Sequence, residues 1–380
     1  MTWQRFARSQ DLCTRKLDPD AELSLDLLDQ PVADKAPPWR RFMPWPEFKD
    51  QHAADALKRW NQIRQITSSR VSQKADSFYL SDSEPCQRLV LAVNSALALR
   101  RPLLVTGYPG SGKSTLAFAI AAWLGLGPVL EWPVTPGALL ADALSTYNAL
   151  ARLQDLEIQA KQGSTPIRPV QDYVRLGPVG TAFLPAFLPR VLLIDEIDKG
   201  DLNLANELLH LFEEGKFAIA ELQRAEGGSE AAPRQVATWD EDNGGQPVTA
   251  SIRGGLVQCH EFPLVVMTSN GERDFPPAFN RRCLRVRMPD FSSDTAMLQA
   301  IVERHLKAET ELLATANAAI ELFQQEMRQL SDRQDVLATD QLLNLAYLLD
   351  DRGGEDARTR LAQVLLQGLN EPDLDLDVQR

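Results

Sequence analysis

The sequence predicts an α/β fold, a parallel sheet covered by helices, followed by an all-helical domain. Three observations carry this. Short, continuous apolar runs recur between residues 103 and 288 with helical segments between them. Runs of that kind fit strands buried on both faces. A glycine-rich loop, GYPGSGKS, joins the first run to a helical segment, and residues 292–370 contain only helical patterns.

Taken in order, residues 1–77 stand apart. They hold four of the seven tryptophans (Trp3, Trp39, Trp45, Trp60) and six prolines. Proline disfavours helix and central strand alike, so residues 31–46 read as an extended arm studded with aromatics. Residues 47–66, EFKDQHAADALKRWNQIRQI, read as a helix. Two roles stay open for the arm: packing on its own domain, or docking onto a neighbouring subunit through exposed aromatics.

From residue 78 to 291 the pattern alternates. QRLVLAVNSALALR has helical periodicity, and the strand candidates are LLVTG (103–107), PVLEW (128–132), VLLIDE (191–196), PLVVMTSN (263–270) and LRVRM (284–288). Helical segments at 114–124 and 201–213 separate them. Two stretches interrupt the core, near 132–186 and 216–262. The second includes GGSEAAPRQVATWDEDNGGQP, which reads as a flexible loop at the tip of a hairpin. Helical lid segments follow over 292–370, and residues 371–380 form an acidic tail.

The composition excludes several classes. The chain has 380 residues, 44% hydrophobic and 24% charged, which suits a globular protein with a full core. No apolar stretch is long enough to span a bilayer, and MTWQRFARSQDLCTRKLD lacks the apolar segment of a secretory signal. Cys13, Cys86, Cys259 and Cys283 are widely spaced, as expected of reduced thiols in a cytoplasmic protein. Net charge is -12, distributed as +2 over residues 1–77, -5 over 78–291 and -9 over 292–380. Such acidity disfavours nucleic acid as a partner, because a phosphate-backbone binder needs a basic face.

The chemistry centres on Gly107-Tyr-Pro-Gly-Ser-Gly-Lys113-Ser114, a G-x-x-x-x-G-K-[ST] motif between strand and helix. Glycines let successive backbone N–H groups converge on phosphate oxygens, and the following helix directs its positive end to the same point. The expected nucleotide-binding set is Gly107, Pro109, Gly110, Ser111, Gly112, Lys113, Ser114, Thr115 and Asp195. Lys113 would hold the β- and γ-phosphates. Ser114 and Asp195 would serve Mg²⁺. Asp195 and Glu196 end the strand VLLIDE, where open parallel sheets place ligands, and Glu196 is the expected general base. Asn270, closing VVMTSN, can orient the attacking water. Arg281 and Arg282, in PPAFNRRCLRVRM, are either surface cations or the source of an arginine finger for a neighbour's phosphoryl group. The histidines show no ligand spacing, and Cys259-His260-Glu261 reads as strand, which sends neighbours to opposite faces. Tyr79 and Leu80 are candidates for the adenine pocket from their place ahead of the first core helix.

GYPGSGKST, VLLIDEIDK, VVMTSN and PPAFNRRCL, in that order, resemble the Walker A, Walker B, sensor 1 and arginine-finger segments of AAA+ ATPases. The likeness narrows to the MoxR-type branch through STYNALARLQDL, YVRLGPVGTAFL, NLANELLHLFEEGKFAIAEL and NGERDFPPAFNRRCL, and covers roughly 78–350. It implies a five-stranded core in the order 5-1-4-3-2, a helical lid, an insert near 136–160 and a hairpin within 216–262. It also implies ATP and Mg²⁺ as ligands and a hexameric homo-oligomer. Protein partners are implied as well, among them proteins with a von Willebrand factor A domain; this variant is similar to ATPases of bacterial conflict and signalling systems. One departure stands out. The stretch VLATDQLLNL places Thr339 and Asp340 where many AAA+ proteins carry a sensor 2 arginine. The leading expectation is ATP-driven remodelling of protein partners. The alternatives are a nucleic-acid motor of a restriction or defence system and a slow nucleotide-gated scaffold.

Overall fold

The computed structural model describes residues 36–66, 69–162, 168–225, 232–290, 294–306, 310–331, 337–349, 360–362 and 364–366. The expectations for residues 1–35, Cys13 among them, and for the tail 371–380 lie outside the described residues.

Helices α1 (Trp45–Gln51), α2 (Ala53–Ile63), α3 (Ser69–Ser77) and α4 (Glu84–Leu99) lead into strand β1 (Leu103–Thr106). Next come α5 (Lys113–Leu124), β2 (Leu130–Pro133), α6 (Leu140–Leu144), β3 (Ser145–Tyr147) and α7 (Ala149–Gln162). Strand β4 (Val174–Leu176), α8 (Pro178–Ala182), β5 (Val191–Asp195), α9 (Leu202–Glu214), β6 (Lys216–Ala218) and α10 (Ala220–Ala225) follow. The hairpin β7 (Arg234–Glu241) and β8 (Pro247–Ile252) precedes β9 (Leu256–Gln258), β10 (Leu264–Ser269), α11 (Pro277–Arg282) and β11 (Leu284–Arg287). Helices α12 (Thr295–Leu306), α13 (Thr310–Ser331) and α14 (Thr339–Leu348) complete the succession.

The main sheet has the order β11-β1-β10-β5-β2, all neighbours parallel. Numbered within the sheet, that is the expected 5-1-4-3-2. The continuous apolar runs explain why it is buried on both faces: alternate residues of one strand enter different cores. Leu104, Leu192, Ile194, Val265 and Met267 join the cluster that holds α6, α8 and α9. Leu103, Val105, Val191, Leu193 and Val266 join the cluster with α4 and α5 on the other face. The helices after residue 294 have a core of their own around Val302, Ile320, Phe323, Leu342 and Leu345.

Three sequence expectations need correction. The helix read over 47–66 is broken at His52 into α1 and α2. The stretch GGSEAAPRQVATWDEDNGGQP is not a flexible loop throughout: residues 234–241 form β7, and only Asp242–Gln246 make the turn to β8, while 226–231 lie outside the described residues. The strand forms because Val236, Thr238 and Asp240 alternate inward, and Asp240 meets a buried arginine. Cys259-His260-Glu261 lies in a bend just beyond β9 and is not strand.

The two insertions also join. Strands β3, β4, β7 and β8 form a second, four-stranded sheet, with β4 parallel to β7 at Arg175 and Ala237. Arg190, one residue before β5, makes a bidentate pair with Asp240 at 2.8 and 2.9 Å, both side chains buried. This ties the insert sheet to the strand that ends in Asp195.

The described part of the N-terminal region packs on its own chain. Arg40 lies 4.8 Å from the ring centres of both Phe42 and Phe262 and donates to the carbonyl oxygens of Arg100 and Phe212. Phe48 stacks on His260 at 4.2 Å. Arg59 donates to Asp55 Oδ2 and to the Pro185 carbonyl, and Asp55 accepts the Ser251 N–H from β8.

Candidate functional site

A cavity of roughly 370 Å³ opens at the C-terminal ends of β1, β5 and β10. That size suits a nucleotide-scale ligand. Its lining gathers Pro109, Gly110, Ser111, Gly112, Lys113, Ser114, Thr115, Asp195, Glu196 and Asn270 into one wall system. Gly107 lies at the end of β1, and its carbonyl accepts from Lys113 Nζ at 2.9 Å. Lys113 Nζ also donates to the Tyr108 carbonyl at 2.8 Å. Burial lowers the Lys113 pKa, while Asp195, Asp198 and Glu196 favour its charged form.

Between the strand ends, Ser114 Oγ donates to Asp195 Oδ1 at 2.6 Å, and Thr268 Oγ1 donates to the same oxygen at 2.6 Å. Thr268 in turn accepts the Glu196 N–H at 2.9 Å. Adjacent strands thus hold the hydroxyl and both carboxylates in fixed register. Glu196 has φ +57, an uncommon left-handed conformation that ends β5 abruptly. Its Oε2 accepts from Lys199 Nζ at 2.7 Å, and that hydrogen bond raises the Lys199 pKa.

The loop is closed from above by α14. Gly110 has φ +72, and a Cβ there would lie 2.7 Å from the Thr339 backbone nitrogen and 3.1 Å from Asp340 Oδ1. Only glycine lets the lid helix rest so near the loop. Thr339, Asp340 and Leu343 line the cavity. An acidic side chain, Asp340, therefore faces the phosphate loop from the lid.

The lining also has residues from α3, the segment after it and α12. These are Ser77, Phe78, Tyr79, Ile301 and His305, and Arg304 stacks 5.0 Å from the Tyr79 ring while donating to the carbonyls of Asp76 and Phe78. Tyr79, a candidate for the adenine pocket, lines the cavity. Leu80 is not among the lining residues and packs against the core around Leu89 and Val93. Phe78, Ile301, His305 and Leu343 carry no motif, and Thr268, although it lies in VVMTSN, carries no role there that the sequence reveals. The signal that could have found Thr268 is its place two residues before Asn270 on the same buried strand.

Arg281 and Arg282 do not line the cavity. They end α11, where Arg282 pairs with Glu213 at 2.5 Å, and the Arg281 side chain is exposed with no side-chain partner among the described residues. Cys86, Cys259 and Cys283 are buried free thiols, with burial pushing the Cys283 thiol up to about 12. His210 is exposed on α9. Among the described residues no cluster of His, Cys, Asp and Glu has metal-site geometry, and no helix is long and apolar enough to cross a membrane.

Residues 102–283 match the model of the AAA domain of the dynein-related subfamily. No curated protein sequence matches the chain. Among solved structures, NtrX from Brucella abortus aligns over 82% of this chain and 60% of its own, at 13% identity and a TM-score of 0.37. NtrX in complex with ATP gives 15% identity, the same coverage and a TM-score of 0.35. PCH-2 of C. elegans aligns over 79% of this chain and 72% of its own, at 13% identity and a TM-score of 0.38. The chain spans less than two thirds of the NtrX structures, and likenesses this loose bear on neither activity nor partners. A phosphate loop and an acidic strand end thus meet in one cavity of a 5-1-4-3-2 sheet, within the residues 102–283 that are similar to the AAA domain of the dynein-related subfamily.

Proposed function

We propose that the protein is an ATPase of the MoxR type that uses ATP hydrolysis to remodel or assemble protein partners. The observation that carries the site assignment is the 2.6 Å contact between Ser114 Oγ and Asp195 Oδ1, on a cavity that Lys113, Glu196 and Asn270 also line. A hydroxyl and a carboxylate oxygen side by side are a suitable donor pair for Mg²⁺, a hard cation that prefers oxygen ligands. Ser114 and Asp195 would hold it. When bound, it neutralises charge on the β- and γ-phosphates.

The remaining roles fall to this chain's own side chains. The loop amides and Lys113 bind the phosphates. Asn270 orients a water, and Glu196 takes its proton as the water oxygen bonds to the γ-phosphorus and the bond to the β-γ bridging oxygen breaks. ADP and phosphate leave. Lys199 holds the Glu196 carboxylate until it engages the water. The finger is Arg281 or Arg282 of a second copy, which accounts for their place away from the cavity of their own chain. That arrangement calls for a homo-oligomer, a hexameric ring by family resemblance, in the cytoplasm. The partner would be a protein, such as one with a von Willebrand factor A domain, reached through the insert sheet. Net charge of -12 supports a protein partner over nucleic acid.

Glu196→Gln tests the reading. ATP binding should persist while turnover falls by roughly 10²–10⁴, the range for losing a general base. Unchanged turnover would remove Glu196 from that role. The same variant, tagged and loaded with ATP, should co-purify its protein partner.

A further inference from the structure

Asp198 has no role in the scheme above, yet it is the most heavily engaged carboxylate near the site. It sits in the short turn Ile197–Lys199 after Glu196 and is buried. Its Oδ2 accepts from four donors: Ser269 Oγ at 3.0 Å, Asn270 N at 2.9 Å, Gly271 N at 3.1 Å and Glu272 N at 3.2 Å. Three successive backbone amides that converge on one oxygen make a nest, an arrangement suited to an anion. Gly271, with φ +82, supplies the left-handed residue that curls the three amides inward. Here the anion is a side chain of the same chain. The other oxygen, Oδ1, is buried with no hydrogen-bond partner among the described residues.

The consequence is geometric. Strands β5 and β10 are paired only as far as Ile194 and Met267, so their ends, which carry Glu196 and Asn270, lie beyond the ladder. Beyond that point three side chains cross between them among the described residues: the Thr268 hydroxyl, which spans Asp195 and the Glu196 amide; Arg273, which donates to the Gly200 carbonyl at 2.7 Å; and the Asp198 carboxylate, which alone of the three holds the backbone of residues 270–272. We infer that Asp198 is a positioning residue for hydrolysis: it acts through Asn270, fixing the distance between that amide and Glu196. The inference rests on the roles proposed above for those two residues.

The experiment is a double-mutant cycle on the full chain with Asp198→Asn, Asn270→Ala and the pair, reading ATP affinity, kcat and amide hydrogen exchange. Asp198→Asn keeps one acceptor oxygen but removes the negative charge on which three N–H donors converge, which weakens the grip on the turn. It should lower kcat by roughly 10–100-fold, the range for losing an outer partner of a site, with ATP affinity nearly unchanged. The pair should lose no more than Asn270→Ala alone, since a residue acting through another is not additive with it. Exchange at residues 270–272 should accelerate. Losses that multiply in the pair, or affinity and kcat that fall together, would overturn the inference. If the parent protein does not hydrolyse ATP, the proposed function fails; the exchange arm still decides whether Asp198 holds the turn, and unchanged protection would refute it. Should Asp198→Asn not fold, Ser269→Ala removes one donor alone and should give the same pattern at smaller size; a lost affinity there would also refute the role.

Discussion

Replacing Glu261 with Gln should expose a pH dependence of stability that its neighbour conceals. His260 is buried against α1, and the adjacent Glu261 is largely but not fully buried. The His260 imidazole donates to the Met43 carbonyl and stacks on Phe48, and Glu261 pairs with Arg100. Burial pushes the His260 pKa down from 6.5 to about 4, and pushes the Glu261 carboxyl up from 4.5 to about 7. At about 1.4 kcal/mol per pKa unit, each displacement is worth about 3 kcal/mol between folded and unfolded chain. The signs oppose. His260 is neutral when folded, so its contribution is present above the unfolded value of 6.5 and is lost as pH falls through about 4. Glu261 keeps its proton to a higher pH when folded than when unfolded, so its contribution is present below 4.5 and is lost as pH rises through about 7. From about 4.5 to 6.5 the two slopes cancel. The assay is urea unfolding followed by tryptophan fluorescence at several pH values. The stability of Glu261→Gln minus that of the parent should rise by about 3 kcal/mol as pH goes from 4.5 to 7. For His260→Asn the same difference should fall by a similar amount from 4 to 6.5. Taking differences cancels the other titrating groups. Curves for either variant that run parallel to the parent would refute the account.

Other consequences are equally direct. Replacing Arg281 and Arg282 with Ala should suppress turnover, and mixing that variant with Asp195→Ala should restore part of it; no rescue in a steady-state ATPase assay would refute a finger acting between copies. Asp240→Ala strands the buried Arg190 and should cost about 3–5 kcal/mol in urea unfolding, whereas Arg190→Met with Asp240→Leu should recover most of it. Gly110→Ala forces a side chain into a left-handed backbone against Thr339, at about 1–2 kcal/mol for the conformation alone. It should weaken binding of a fluorescent ATP analogue and lift α14 from the loop.

What could be read from sequence follows from the scale of the interactions. The five core strands are legible because burial on both faces writes itself as an unbroken apolar run, as in VLLID. The phosphate loop is legible because its backbone geometry demands glycine at fixed positions. The insert sheet is not: β3 and β4 have three residues each, too few to show a period, and β7 looks like loop until Arg190 supplies a partner for Asp240. The same holds for Asp198, which reads as one more surface acid until its four donors arrive from a strand more than seventy residues away. His305 and Ile301 line the cavity from a helix whose Arg304 grips the carbonyls of Asp76 and Phe78, a contact with no local signature.

The shared sheet of the two insertions limits how this protein can be rebuilt. A chimera that carried only the β7–β8 hairpin into a related core would leave one edge of β7 without the neighbour β4 provides, and unpaired strand edges invite aggregation. Residues 145–176 and 234–252 therefore form one exchangeable module despite the Walker B strand lying between them in the chain. Deleting either half alone should damage solubility before it damages catalysis.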